Sequence, residues 1–343
     1  MPKRIIICTD GTWNHANPPP GVELTNAAQI YRLLADQGPD GVAQQTRYIE
    51  GIGVGGVVPY FKEGYTGQGT PEKIRAAYRH LCKHYEPGDE IYLFGVSRGA
   101  FTVRQLCQLI DFIGVLYDPS PKKIRAAYSL FCNSKPGEES RPRDHLQQRS
   151  HYPCLVKFVG AWDTVDALGI PVPGLRQLTQ PRVGLHGASL GDHVQNAFHA
   201  LSIDETRGAF RPTIWTDQPR SSRRIEQVWF AGNHGDVCGG FGKKGLSDVS
   251  LTWMVERARE FGLGFSDDEL QRTLAPDLST EPTSWTDIWG WLLPSTQRGI
   301  LLTNPSTEWI HQSAAEKMRA DEAYGPLALK MALETCGNSR VVC

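Results

Sequence analysis

Short runs rich in branched and aromatic residues alternate along the chain with longer stretches whose apolar positions recur every three to four residues. Five of the short runs read as strands, at 4–8, 46–50, 90–95, 155–160 and 225–230. Most are continuously apolar rather than alternating, as expected where both faces of a strand are covered. The helical periodicity between them predicts helices over 24–34, 71–85, 99–110, 190–203 and 247–261. Pro71 after Thr70 fits a helix start, with threonine as cap and proline at the first helical position, and Ser247 before Asp248 is a similar signal. This alternation predicts an α/β fold, a three-layer sandwich with a mostly parallel central sheet covered by helices on both faces.

Two stretches interrupt the pattern. Residues 112–150 are polar and proline-containing around a possible short helix near 121–132, and read as an insertion. Residues 169–189 are rich in proline and glycine and read as a second loop over the site. In the last eighty residues Trp285, Trp289, Trp291 and Trp309 are interleaved with Pro282, Pro294 and Pro305 rather than with strand signals. The expected organisation is a catalytic domain over 1–265, carrying lid-like insertions, and a tryptophan-rich C-terminal segment over 266–343 packed on the core.

At 343 residues the chain is long enough to bury roughly three quarters of its unfolded surface. Its 36 basic and 37 acidic residues leave a net charge of −1, so bulk electrostatics favour neither nucleic acid nor an anionic membrane as a partner. No stretch approaches 18 consecutive apolar residues, which argues against a transmembrane segment. The apolar run at 5–8 is too short for a signal peptide. Eight cysteines without a C-x-x-C pair fit a reducing, cytoplasmic setting, with neither a disulfide framework nor structural zinc expected.

The chemistry begins at Gly95-Val96-Ser97-Arg98-Gly99, which follows an apolar strand and precedes a helical pattern. In that context G-x-S-x-G is a strand-to-helix turn whose central residue is strained and whose glycines avoid steric clash. Ser97 is the candidate nucleophile. The backbone N–H of Arg98, at the start of the helix, is a candidate oxyanion donor.

A serine hydroxyl needs an imidazole to take its proton, and the imidazole needs a carboxylate to fix its tautomer. In this chain order the partners lie downstream. Asp163 follows the strand Leu155-Val-Lys-Phe-Val-Gly-Ala-Trp, with Asp166 as a nearby competitor. His234 alone among ten histidines sits in a glycine-rich loop just past a clear strand. Those placements suit the carboxyl edge of a parallel sheet.

The first strand ends in Asp10-Gly11-Thr12-Trp13. Its likeness to a D-x-D-G-T phosphatase loop fails because Cys8 stands where the attacking aspartate is needed. Gly11 and Thr12 are instead candidates for completing the oxyanion hole, and Asp10, Trp13 and Trp162 for contacting substrate. A G-x-G-x-x-G run from Gly51 to Gly56 lacks the helix a dinucleotide site requires, so it reads as a loop near the site. No cofactor is expected. The alternative to a serine hydrolase is a metal-dependent phosphoesterase using Asp10, Asp163, His234 and Asp236, or a hydrolase scaffold that only binds.

Six segments, taken in order, carry a resemblance. They are Asp10-Gly-Thr-Trp-Asn, Tyr48-Ile-Glu-Gly-Ile-Gly, Gly95-Val-Ser-Arg-Gly-Ala-Phe-Thr-Val-Arg, Gly160-Ala-Trp-Asp-Thr-Val, Ala200-Leu-Ser-Ile-Asp-Glu-Thr-Arg and Trp229-Phe-Ala-Gly-Asn-His-Gly-Asp-Val-Cys-Gly-Gly. Over about residues 4–260 the chain resembles the uncharacterised α/β-hydrolase domain family that includes the Tle1-like phospholipase effectors of bacterial type VI secretion. The resemblance implies an α/β-hydrolase core with Ser97, Asp163 and His234 as triad, acting on carboxylic esters, phospholipids above all. It also admits export independent of a signal peptide. Cys238, where the family more often has glycine, and the absence of larger membrane-binding additions are departures.

Overall fold

Along β1 (Arg4–Thr9), Ile5 and Ile7 enter one apolar layer while Ile6 and Cys8 enter another, so one period-two run serves two cores. All four are completely buried. The computed structural model describes residues 1–11, 14, 16–17, 22–51, 69–134, 140–165, 189–283 and 295–343. Its further strands are β2 (Gln44–Ile49), β3 (Glu90–Val96), β4 (Val115–Leu116), β5 (Ser150–His151), β6 (Val156–Trp162), β7 (Asn196–Ser202), β8 (Arg224–Phe230), β9 (Glu308–His311) and β10 (Val341–Val342). Eight of them form one sheet in the order β10-β9-β8-β7-β6-β3-β1-β2, with every neighbouring pair parallel. The short β4 and β5 pair antiparallel outside it.

Helices cover both faces. They are α1 (Asn26–Leu33), α2 (Thr70–His84), α3 (Arg98–Ile113), α4 (Pro121–Asn133), α5 (Arg141–Gln147), α6 (His234–Cys238), α7 (Gly245–Glu260), α8 (Asp267–Thr273), α9 (Gln312–Ala320) and α10 (Leu327–Cys336). Ile74, Leu81, Val103, Leu106 and Ile110 of α2 and α3 pack on the face that carries Ile5, Ile7 and Leu93. On the opposite face an aromatic row crosses the strands, Tyr92 to Phe158 to Phe198, with centroid separations of 6.1 and 5.0 Å. Trp253 of α7 meets Phe198 and Phe230 edge-on. The result is the three-layer, mostly parallel α/β-hydrolase-like sandwich that the pattern predicts.

Where the elements differ from expectation, the cause is burial on both sides. Residues 190–203, expected to be helical, supply β7, and all seven of its residues are buried. A short, wholly apolar run reads the same as a buried helix segment or a central strand, and only its neighbours decide. The C-terminal stretch, read as lacking strand signals, provides β9 and β10 and thereby extends the sheet past β8. It brings a third core in which Trp229, Ile310 and Leu329 are buried. Within 112–150, α4 buries Ile124, Ala127, Tyr128 and Phe131 against the main core. α2 begins at Thr70 with Gly69 (φ 99°) in the cap position, and α7 begins at Gly245, two residues ahead of Ser247. Residues 169–188, with Trp285, Trp289 and Trp291, lie outside the described residues.

β1 lies between β2 and β3, so successive strands leave it in opposite directions. Such a switch opens a crevice at the carboxyl ends of the two central strands. Gly11 follows one of those strands and Ser97 the other.

Candidate active site

Between the end of β3 and the first residue of α3 there is a single residue, Ser97, with φ 56° and ψ −117°. That geometry demands glycine on either side. A Cβ on Gly95 would lie 2.5 Å from the Gly99 carbonyl oxygen, and one on Gly99 would lie 2.2 Å from the carbonyl oxygen of Thr9. The Ser97 N–H is anchored to the carbonyl of Trp162 at 2.9 Å. The 16-residue α3 thus starts with Arg98 directly behind the serine.

β6 ends at Trp162, and Asp163 follows with φ 36° and no solvent exposure. His234 is the first residue of α6, a turn capped by Asn233, whose side-chain oxygen accepts from the N–H groups of Gly235 and Asp236. His234 Nδ1 and Asp163 Oδ2 are 2.6 Å apart. This bond places the ring proton on Nδ1 and leaves Nε2 as the basic nitrogen. The imidazole meets Phe210 edge-on at 5.0 Å, and the His234 backbone N–H donates to Glu205 Oε2 at 3.3 Å. Glu205 is in turn clamped by Arg207 through two bonds of 2.8 and 2.7 Å. Burial works against the Glu205 charge, but Arg207 outweighs it and holds the carboxyl below its ordinary value.

Asp163 has a second charged partner. Arg298 donates through Nη2 to Oδ2 at 3.0 Å and lies 3.4 Å from Oδ1 through Nη1, while the Ser202 N–H donates to Oδ1 at 3.1 Å. Burial opposes ionisation of Asp163. The Arg298 charge, the His234 bond and the Ser202 N–H overcome it and hold the carboxyl well below the usual carboxylate range.

Cys238 lies against the His234 ring. Its sulfur is 3.9 and 4.0 Å from the two imidazole nitrogens. Burial, with the charges of Asp163 and Asp10, pushes this thiol well above its ordinary value, so it stays protonated. Among the described residues no hydrogen bond joins the Ser97 hydroxyl to His234.

Gly11 abuts the serine as expected, since a Cβ there would lie 3.3 Å from that of Ser97. Its N–H, however, donates to Asp10 Oδ1 at 2.7 Å and is not presented to the crevice. Asp10 is itself buried and also accepts from Thr25 Oγ1 at 2.8 and 2.9 Å and from the Tyr48 hydroxyl. A carboxylate so engaged organises the loop rather than meeting substrate. Trp162 is fully buried beside Phe94, at 6.4 Å between centroids, and belongs to the aromatic core rather than to a substrate wall. Thr12, Trp13 and Asp166 lie outside the described residues, as does the rest of the glycine-rich run, residues 52–56. Gly51, where a Cβ would fall 1.7 Å from the Gly11 carbonyl oxygen, packs flat on the first loop.

Of the four residues of the metal alternative, Asp163 and His234 bond each other and Asp10 is taken up by Thr25 and Tyr48. Asp236 accepts from the N–H groups of Asn233 and Thr283 and from the Thr283 hydroxyl, so it closes the cap of α6. Among the described residues no three histidine, cysteine, aspartate or glutamate side chains are placed to hold a metal. The residues that local sequence did not reveal are Ser202, Glu205, Arg207 and Arg298. Glu205 and Arg207 lie within a segment that carries the resemblance, whereas Arg298 is 135 positions from Asp163 with no local signal.

A family model for the T6SS phospholipase effector Tle1-like catalytic domain matches residues 3–257. Uncharacterized protein YEL023C of Saccharomyces cerevisiae (strain ATCC 204508 / S288c) is 30% identical over 243 residues, covering 63% of this chain. The chain spans only 33% of the length of that curated relative. Among solved structures, the Tle1 effector bound to the VgrG spike from the type 6 secretion system is 18% identical, with a TM-score of 0.41 over 70% of this chain and 51% of that one. An uncharacterized protein from Pseudomonas aeruginosa is 16% identical, with a TM-score of 0.48 over 80% of this chain and 49% of its own. Matched over far more than half its length, the chain belongs to the Tle1-like catalytic-domain family, named for phospholipase effectors of type VI secretion.

Proposed function

We propose that the chain is a serine hydrolase of carboxylic esters in which Ser97 is the nucleophile, His234 the general base and Asp163 the acid that orients it. The observation that carries this reading is the 2.6 Å His234–Asp163 bond, made beside a serine held at φ 56° on the turn into a helix. Two of the three described non-glycine residues with positive φ, Ser97 and Asp163, fall in one small site. Each such conformation costs about 1–3 kcal/mol and concentrates where function requires it.

His234 Nε2 takes the Ser97 proton as the hydroxyl oxygen attacks the ester carbonyl, and the imidazolium so formed lies against the Asp163 carboxylate. The developing oxyanion sits at the start of α3, where the Arg98 N–H and the helix dipole favour negative charge. A second donor, worth about 2.7–4 kcal/mol in such sites, comes from the first loop: Thr12, or Gly11 once its N–H turns from Asp10. The alcohol leaves with the proton from His234, and water activated by the same imidazole releases the acid from Ser97.

The family points to phospholipids as substrates, with cleavage of the phospholipase A type. No helix among the described residues is long and apolar enough to cross a membrane. Residues 1–265 carry the three triad residues in this reading, and 266–343 complete the sheet through β9 and β10 and bring Arg298 to Asp163. The test is turnover of p-nitrophenyl esters of graded chain length and of phosphatidylcholine vesicles, for the native chain and Ser97→Ala. Fatty acid release that vanishes in Ser97→Ala supports the reading. Release that persists in the variant, or none from either substrate class, overturns it.

A further inference from the structure

We propose that Arg298 is a positioning residue of the catalytic apparatus: through its fork on Asp163 it sets the pH at which His234 becomes a working base. The inference rests on the triad reading above and adds a residue from beyond the family match, which ends at residue 257.

The geometry is that of a built contact. Arg298 is 7% exposed and Asp163 not at all. The guanidinium reaches both carboxylate oxygens, and Nη2 also donates to Ser202 Oγ at 3.1 Å while Nε lies 3.3 Å from the Glu205 carbonyl. Oδ2 of Asp163 therefore serves two donors at once, His234 Nδ1 at 2.6 Å and Arg298 Nη2 at 3.0 Å. An aspartate whose charge is shared with an arginine draws the imidazolium less strongly than one that faces histidine alone.

The other groups around the pair are accounted for. Glu205 faces the backbone N–H of His234 and is neutralised by Arg207, and the Cys238 sulfur is 3.9 Å from His234 Nδ1. His199 lies one strand away and is pushed down to about 3 by burial, then by the charge of Arg104, so it remains neutral. Among the described residues Arg298 is thus the arginine or lysine that meets the carboxylate directly, and its contribution to His234 runs through Asp163.

Removing the positive charge while Asp163 stays ionised favours the imidazolium. The acid limb of kcat/KM, where His234 loses its proton, should then move to higher pH. The experiment measures pH profiles of ester turnover for the full chain, Arg298→Gln and Arg298→Lys, alongside thermal midpoints and fluorophosphonate labelling of Ser97. For Arg298→Gln the limb is expected to rise by about one pH unit, with kcat reduced. Arg298→Lys keeps the charge, and its limb is expected to stay near the native position. If Arg298 only ties the C-terminal segment down, the thermal midpoint falls in Arg298→Gln but the limb does not move, and the proposal is overturned. Should Arg298→Gln fail to fold, Arg298→Met, which removes the charge and keeps the unbranched stem, takes its place: a raised limb supports the proposal and an unmoved one overturns it. An unlabelled Ser97 in the native chain defeats the triad reading itself, a separate result.

Discussion

Asp163 must stay charged while wholly removed from water, and its surroundings supply four donated contacts to make that possible. Because its folded value is depressed, it contributes stability that is fully present above the ordinary carboxylate value of 3.8 and is lost as pH falls from there through the folded value. Asp163→Asn should therefore flatten the acid side of a stability-versus-pH curve followed by urea midpoints. It should also lower kcat by about four orders of magnitude, since asparagine can hold the imidazole in the wrong tautomer. An unchanged kcat would remove Asp163 from the mechanism. At Gly99 the constraint is steric. Gly99→Ala must displace the first strand from the helix, at a cost of about 1–3 kcal/mol in urea unfolding, and Ser97 should lose reactivity with it.

Helix α6 is only five residues long, yet it begins with His234, so its cap positions the proposed base. Asn233→Ala removes two accepted bonds and should cost about 0.5–2 kcal/mol, with a fall in kcat larger than any change in KM. Steady-state kinetics separate the two. The strand-turn-helix around Ser97 was legible because its steric demands are local: two glycines, a strand before and a helix after. The placement of Asp163 and His234 past strand ends was legible for the same reason. β7 was not, because a run buried on both faces carries no periodicity to distinguish strand from helix. β9 was not, because four residues among prolines become a strand only when β8 lies alongside. Asp10 read as a substrate-contacting group because nothing near it in sequence announces Thr25 or Tyr48 as its partners.

At the scale of the whole molecule, the C-terminal segment is bound to the sheet by more than apolar contact. Buried Glu308 accepts from Trp229 Nε1 and from the N–H groups of Leu301 and Thr303, each at 3.0 Å, which fixes the loop that leads from Arg298 into β9. A chain ending at residue 265 loses Arg298, leaves β8 as an open edge and bares Trp229. It should aggregate or bind a hydrophobic dye, and fail to react at Ser97; full reactivity in that fragment would show that the segment is dispensable. In the proposed mechanism Ser97 owes its nucleophilicity to His234. Peptide mass spectrometry after exposure of the full chain to a fluorophosphonate tests it most directly. The account predicts one adduct, on Ser97, that disappears in His234→Ala while circular dichroism is unchanged. An unmodified Ser97 in a chain that still hydrolyses esters, or an adduct that forms equally well without His234, would contradict it.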